Sequence, residues 1–94
     1  MTTFLMFGTY SDEALKEISS NRTKKAAKII KDLGGKVRDI YGLLGEWDLV
    51  LIVELPDIEA AVTASLKLTQ MTGIGFTTMP AIPVETFDKI AKKA

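Results

Sequence analysis

The side chains that could do chemistry are few and unevenly placed. None of the 94 residues is a histidine or a cysteine. That removes the commonest general base, the commonest metal ligand, the usual haem ligand and all thiolate and disulfide chemistry. Catalysis would rest on carboxylates, Lys, Arg, Tyr or a bound cofactor. The chain shows no metal-ligand spacing, no glycine-rich phosphate loop and no nucleophile–base pair. The densest cluster is Gly45-Glu46-Trp47-Asp48, an aromatic and an acid at a glycine turn.

Asp48 has two readings. It is an acceptor for a ligand amine or hydroxyl, or a general base; or its carboxylate caps the backbone amides of the Gly45 turn, the commoner use of a local Asp. Trp47 stacks on a ligand, or fills the sheet edge or a subunit contact, where Trp is enriched. Burial is the favoured use for Trp47 and capping for Asp48. Tyr10 and Tyr41 share the ambiguity of Trp47, and their rings are placed to line a common cleft between sheet and helices. Arg38 and Asp39 are adjacent and point to opposite faces of a strand. The inward one needs a partner; the plainer reading is an edge strand guarded by charge. The expected ligand-binding set is therefore Tyr10, Arg38, Tyr41, Trp47 and Asp48, with no metal and no cofactor.

These residues must be held by strands. Leu49–Val53 is five apolar residues without interruption, rich in Val and following a turn. Such a run reads as a strand buried on both faces, here spanning Trp47–Leu55. Phe4–Phe7 reads the same way within a first strand over Thr3–Tyr10. Ser11 or Asp12 caps the helix that follows, and Ser19-Ser20-Asn21 breaks or kinks it. It resumes over Arg22–Leu33, with Ala26, Ile29, Ile30 and Leu33 at helical spacing, and stops at Gly34-Gly35. Lys36–Leu44 is a second strand of mixed polarity. Asp57 caps a helix that ends at Gly73. Ile74–Ile82 is a fourth strand with Pro80 inside it, and Pro83–Lys93 is a short helix with Phe87 and Ile90 as docking residues.

The order β-α-β-β-α-β predicts a ferredoxin-like α+β sheet, 4-1-3-2, with the two apolar strands central and the charged and proline-bearing strands at the edges. Right-handed crossovers place both main helices on one face. The other face is apolar too, and a second copy of the chain, related by a two-fold axis, is the expected cover. The short chain points the same way, since its own core is limited.

Twelve basic and twelve acidic residues balance to zero, so nothing points to nucleic acid or an anionic membrane. The charge is segregated: Lys16–Arg38 is mostly basic and Asp39–Glu59 holds acids alone. A solvated helix face accounts for this. The sharper alternatives are subunit complementarity or an anionic ligand near Arg22. No stretch reads as a leader or a membrane span, and the expected setting is the cytoplasm.

Gly45, Trp47 and Asp48, the strand Leu49–Glu54, Pro56-Asp57, the upstream Gly34-Gly35-Lys36-Val37 and the downstream Pro80-Ala81 resemble the GYD-domain family of small prokaryotic proteins. The likeness covers almost the whole chain as one domain, residues 1–94; Trp47 stands where the family's tyrosine is expected. It implies a ferredoxin-like fold of the dimeric α+β barrel kind and no defined activity. A more distant resemblance is to the effector-binding domain of Lrp/AsnC-type regulators. Two functions follow as expectations. One is a small-molecule-binding or regulatory module working as a homodimer or larger ring. The other is a cofactor-independent monooxygenase or isomerase with Tyr10, Tyr41, Trp47 and Asp48 around its cavity. A structural oligomer without a ligand is the third.

Overall fold

In a computed structural model describing residues 1–94, the elements are β1 (Thr2–Thr9), α1 (Asp12–Lys16), α2 (Ser20–Asp32), β2 (Lys36–Gly42), β3 (Leu49–Leu55), α3 (Ile58–Thr72), β4 (Gly75–Ala81) and α4 (Val84–Lys93). The four strands form one antiparallel sheet in the order β2-β3-β1-β4. This is the ferredoxin-like arrangement expected, with the apolar strands β1 and β3 central.

Local chemistry places the helix ends. Ser11 Oγ accepts the N–H of Ala14 at 3.0 Å, and Asp57 Oδ1 accepts that of Ala60 at 2.8 Å. Each cap satisfies one of the orphan amides of a helix start. The break between α1 and α2 runs from Glu17, which closes α1, to Ser19, which caps α2, so it takes in only the first residue of Ser19-Ser20-Asn21, and Ser20 and Asn21 are helical. Gly73 ends α3 with φ 74°, where a side chain would be strained.

One face of the sheet carries the core. Phe4 and Met6 of β1 lie beside Val53 and Leu51 of β3, and all four pack with Ile30 of α2 and Ala61, Ala64 and Leu68 of α3. The core is small: 15 of 94 residues are buried. That leaves less apolar surface covered than a chain with a larger core.

Several further features differ from the sequence expectation. Strand three starts at Leu49, and Trp47 and Asp48 lie in the approach to it. Strand two stops at Gly42, which leaves Leu44 fully exposed. The ladder between β2 and β3 also shifts between Val37 and Asp39. A bulge inserts one unpaired residue and changes which face later residues occupy. Val37 and Ile40 therefore both reach the core, while Asp39 and Tyr41 share the opposite face. The simple alternation that put Arg38 and Asp39 on opposite faces does not hold. Phe87 and Ile90 do not dock within the chain: both are more than half exposed, and α4 has no buried residue. No helix is long and apolar enough to cross a membrane.

Candidate functional site

The expected residues do not converge on one pocket. They divide among the two faces of the sheet and the seam between β1 and β3.

Asp48 holds the seam. Its N–H donates to the Gly8 carbonyl at 2.9 Å, its own carbonyl accepts the N–H of Leu43 at 2.8 Å, and its carboxylate accepts the N–H of Tyr10 at 2.8 Å. The carboxylate does hold a backbone amide, but that amide lies across the sheet and not in the Gly45 turn. Tyr10 follows the last paired residue of β1, so without Asp48 its amide would have no ladder partner.

Tyr10 itself faces the helices. The Arg22 guanidinium carbon lies 5.6 Å from its ring centroid, within cation–π range. Arg22 Nη1 donates to the carbonyl of Ala14, in the middle of α1. Together with Thr23, Thr72, Leu49 and Phe76 they line a cavity of about 50 Å³. Roughly 30 Å³ is one water's share of liquid volume, and drug-sized ligands take about 300–1,000 Å³. In the single chain this cleft has room for a water or two and little more.

Trp47 and Tyr41 lie on the other face. The Trp47 and Phe7 ring centroids are 5.7 Å apart with a 41° tilt, an aromatic pair in a favourable range. Phe7 sits between Val50 and Thr77 in the ladder, and Val50 sits beside Tyr41, so one row reads Tyr41, Val50, Phe7, Thr77. The next row is Asp39, Ile52, Leu5, Met79. No helix packs over these rows. Tyr41 and Met79 are exposed, while Leu5, Phe7, Ile52 and Trp47 are half-buried. Arg38 stands toward the far end of this face, with Nε 3.5 Å from Glu54, whose carboxylate also lies 3.9 Å from Lys36.

The open face is the candidate site. It joins Trp47 and Tyr41 with Phe7, Leu5, Ile52 and Met79, and excludes Tyr10. Sequence reasoning found the apolar parity of β1 and β3 but not the Trp47–Phe7 pair, because nothing local links a turn residue to a strand 40 positions earlier.

The chain matches the GYD domain over residues 4–91. A Thermus thermophilus protein named glutamine synthetase and cystathionine beta-lyase binding protein is 31% identical over 87 residues, covering 89% of this chain and 92% of its own. Among solved structures, the leucine response regulatory protein of Mycobacterium tuberculosis aligns with a TM-score of 0.58 at 11% identity, over 87% of this chain and 51% of that one. An AsnC family transcriptional regulator from Agrobacterium tumefaciens aligns with a TM-score of 0.53 at 22% identity, over 87% and 50%. The chain spans about half the length of these regulators, and the likeness to them is one of fold.

Proposed function

The chain belongs to the GYD-domain family, and we propose that it is a regulatory binding module that self-associates through its open sheet face and docks on a metabolic enzyme. The observation that carries this is the two-row apolar face of Leu5, Phe7, Val50, Ile52 and Met79 with Trp47 and Tyr41 on it. Soluble monomers rarely leave a contiguous apolar patch beyond a few hundred Å² in water. Stacking two such faces about a two-fold axis would bury on the order of 1,600 Å², the size of a stable interface. Apolar burial at about 25 cal/mol per Å² favours that association even after its entropic cost.

The enzyme partner is carried over from the Thermus thermophilus relative, whose likeness runs nearly end to end in both chains. Glutamine synthetase and cystathionine β-lyase are the partners to try first. Equilibrium sedimentation at low micromolar protein tests the first half of the reading. A monodisperse monomer that binds no hydrophobic dye would overturn it. Biolayer interferometry against each purified enzyme tests the second half, which fails if neither binds at micromolar concentration.

A small effector in the Tyr10–Arg22 cleft is the second reading, favoured by the guanidinium held over a ring at a cavity mouth. The volume of that cavity ranks it below protein binding. The catalytic reading ranks lower still, because Tyr41 and Trp47 stand on the far side of the sheet from Tyr10, and the Asp48 carboxylate already holds a backbone amide.

A further inference from the structure

We propose that α4 is an exchange arm: its apolar stripe seats in the groove between α3 and β4 of a second copy of this chain, which returns its own arm in the same way. The arm and the groove are both left without a partner inside one chain. Val84, Phe87 and Ile90 are 69%, 59% and 57% exposed, and α4 forms no packed interface with any other element. With Ala91 they fall on one side of the helix. Ten residues make a marginal helix in water on their own, so this one needs a surface to lie against.

The groove offers a matching surface. Ile58, Val62 and Leu66, one turn apart along α3, are 69%, 53% and 59% exposed. With Phe76, Thr78 and Pro80 of the edge strand they line a cavity of about 260 Å³. The lengths agree: Ile58 to Leu66 rises about 12 Å and Val84 to Ile90 about 9 Å at 1.5 Å per residue.

Charge sets the direction. Asp57 and Glu59 adjoin the Ile58 end of the groove, and Lys67 follows Leu66 at the other. The arm carries Glu85 in its first turn and Lys92 and Lys93 in its last. An antiparallel arm sets Lys92 and Lys93 against Asp57 and Glu59, and Glu85 against Lys67. The helix dipoles agree with that direction. The chain's own groove is a poor target for its own arm. Pro83 is extended at φ −57° and ψ 144°, and the residue before a proline is held extended too, so Ile82-Pro83 makes no tight reversal. Two reciprocal contacts about a two-fold axis reach roughly the 1,200–2,000 Å² of a stable interface.

The chain has no cysteine, so introduced ones report without interference. A Val62→Cys chain and a mass-tagged Phe87→Cys chain are mixed and oxidised mildly. The expected result is a mixed disulfide dimer several-fold above either self-dimer, and it should persist when both chains also carry Ile52→Asp, which disrupts the sheet face. Mixed product no higher than the self-dimers overturns the proposal, as does its loss in the Ile52→Asp background. A Val62→Cys, Phe87→Cys double variant that closes within one chain overturns it too, by placing the arm in its own groove. Reversing Lys92 and Lys93 to Glu lowers the mixed yield, and Glu59→Lys restores it; an unchanged yield overturns the antiparallel seating.

Discussion

The Asp48 carboxylate accepts the main-chain N–H of Tyr10 at 2.8 Å, joining residues 38 positions apart. It closes the end of the central strand pair, where the β1–β3 ladder stops at Gly8 and Leu49. An ionised acceptor on a backbone donor is among the stronger single hydrogen bonds in a protein.

Asp48→Ala is expected to cost about 1.5–3 kcal/mol of stability, the worth of a hydrogen bond to a charged group. In a domain of this size that lowers the melting temperature by roughly 4–8 °C per kcal/mol. Asp48→Asn keeps an acceptor oxygen and should lose less. Thermal and urea unfolding at fixed protein concentration measure both; equal losses would assign the effect to the charge alone, and no loss in either variant would show that this hydrogen bond does not hold the seam.

Gly35→Ala is expected to be among the most damaging small substitutions. A Cβ there would collide with the Glu54 carbonyl oxygen and stand 2.7 Å from Leu55 Cδ2. The first contact is backbone in a central strand, so relief requires α2 or β3 to shift, at about 1–3 kcal/mol or more. Gly42→Ala meets nothing within 4 Å and is the control. Urea midpoints compare the two, and similar values would contradict this packing.

Ile52→Asp is expected to abolish self-association through the open face while leaving the single chain folded. Ile52 lies between Asp39 and Leu5 with no helix above it. An unpaired carboxylate buried in a sheet-to-sheet contact costs on the order of 3–5 kcal/mol, more than a hundredfold in the dissociation constant. Sedimentation reads the association and far-ultraviolet circular dichroism the fold. Undiminished association would move the contact elsewhere.

Arg38→Ala is expected to change stability by less than about 1 kcal/mol, as for other exposed ion pairs. Arg38 is paired with Glu54 at the rim of the open face and shares that carboxylate with Lys36. A double-mutant cycle with Glu54→Ala, repeated in high salt, measures the coupling. A large, salt-insensitive coupling would mark the pair as buried in an assembly.

The short-range chemistry of the chain was enough to determine its elements and their order. The apolar runs in β1 and β3 are intrinsic to their segments, and so are the caps Ser11 and Asp57 and the stop at Gly73. Each acts within its own segment. With two strands apolar on both parities and two that are not, the central and edge positions followed.

What each candidate side chain does was decided by tertiary structure. The bulge beside Arg38 changes the face of every later residue in β2, and alternation read along the sequence cannot locate it, because it exists only against the register of β3. Tyr10 and Tyr41 therefore end on opposite faces of the sheet. Trp47 finds its ring on β1, and Asp48 its amide just beyond the end of that strand, some 40 residues away. Contacts that span the sheet depend on where the chain returns, and a turn residue carries no local mark of which strand it will meet.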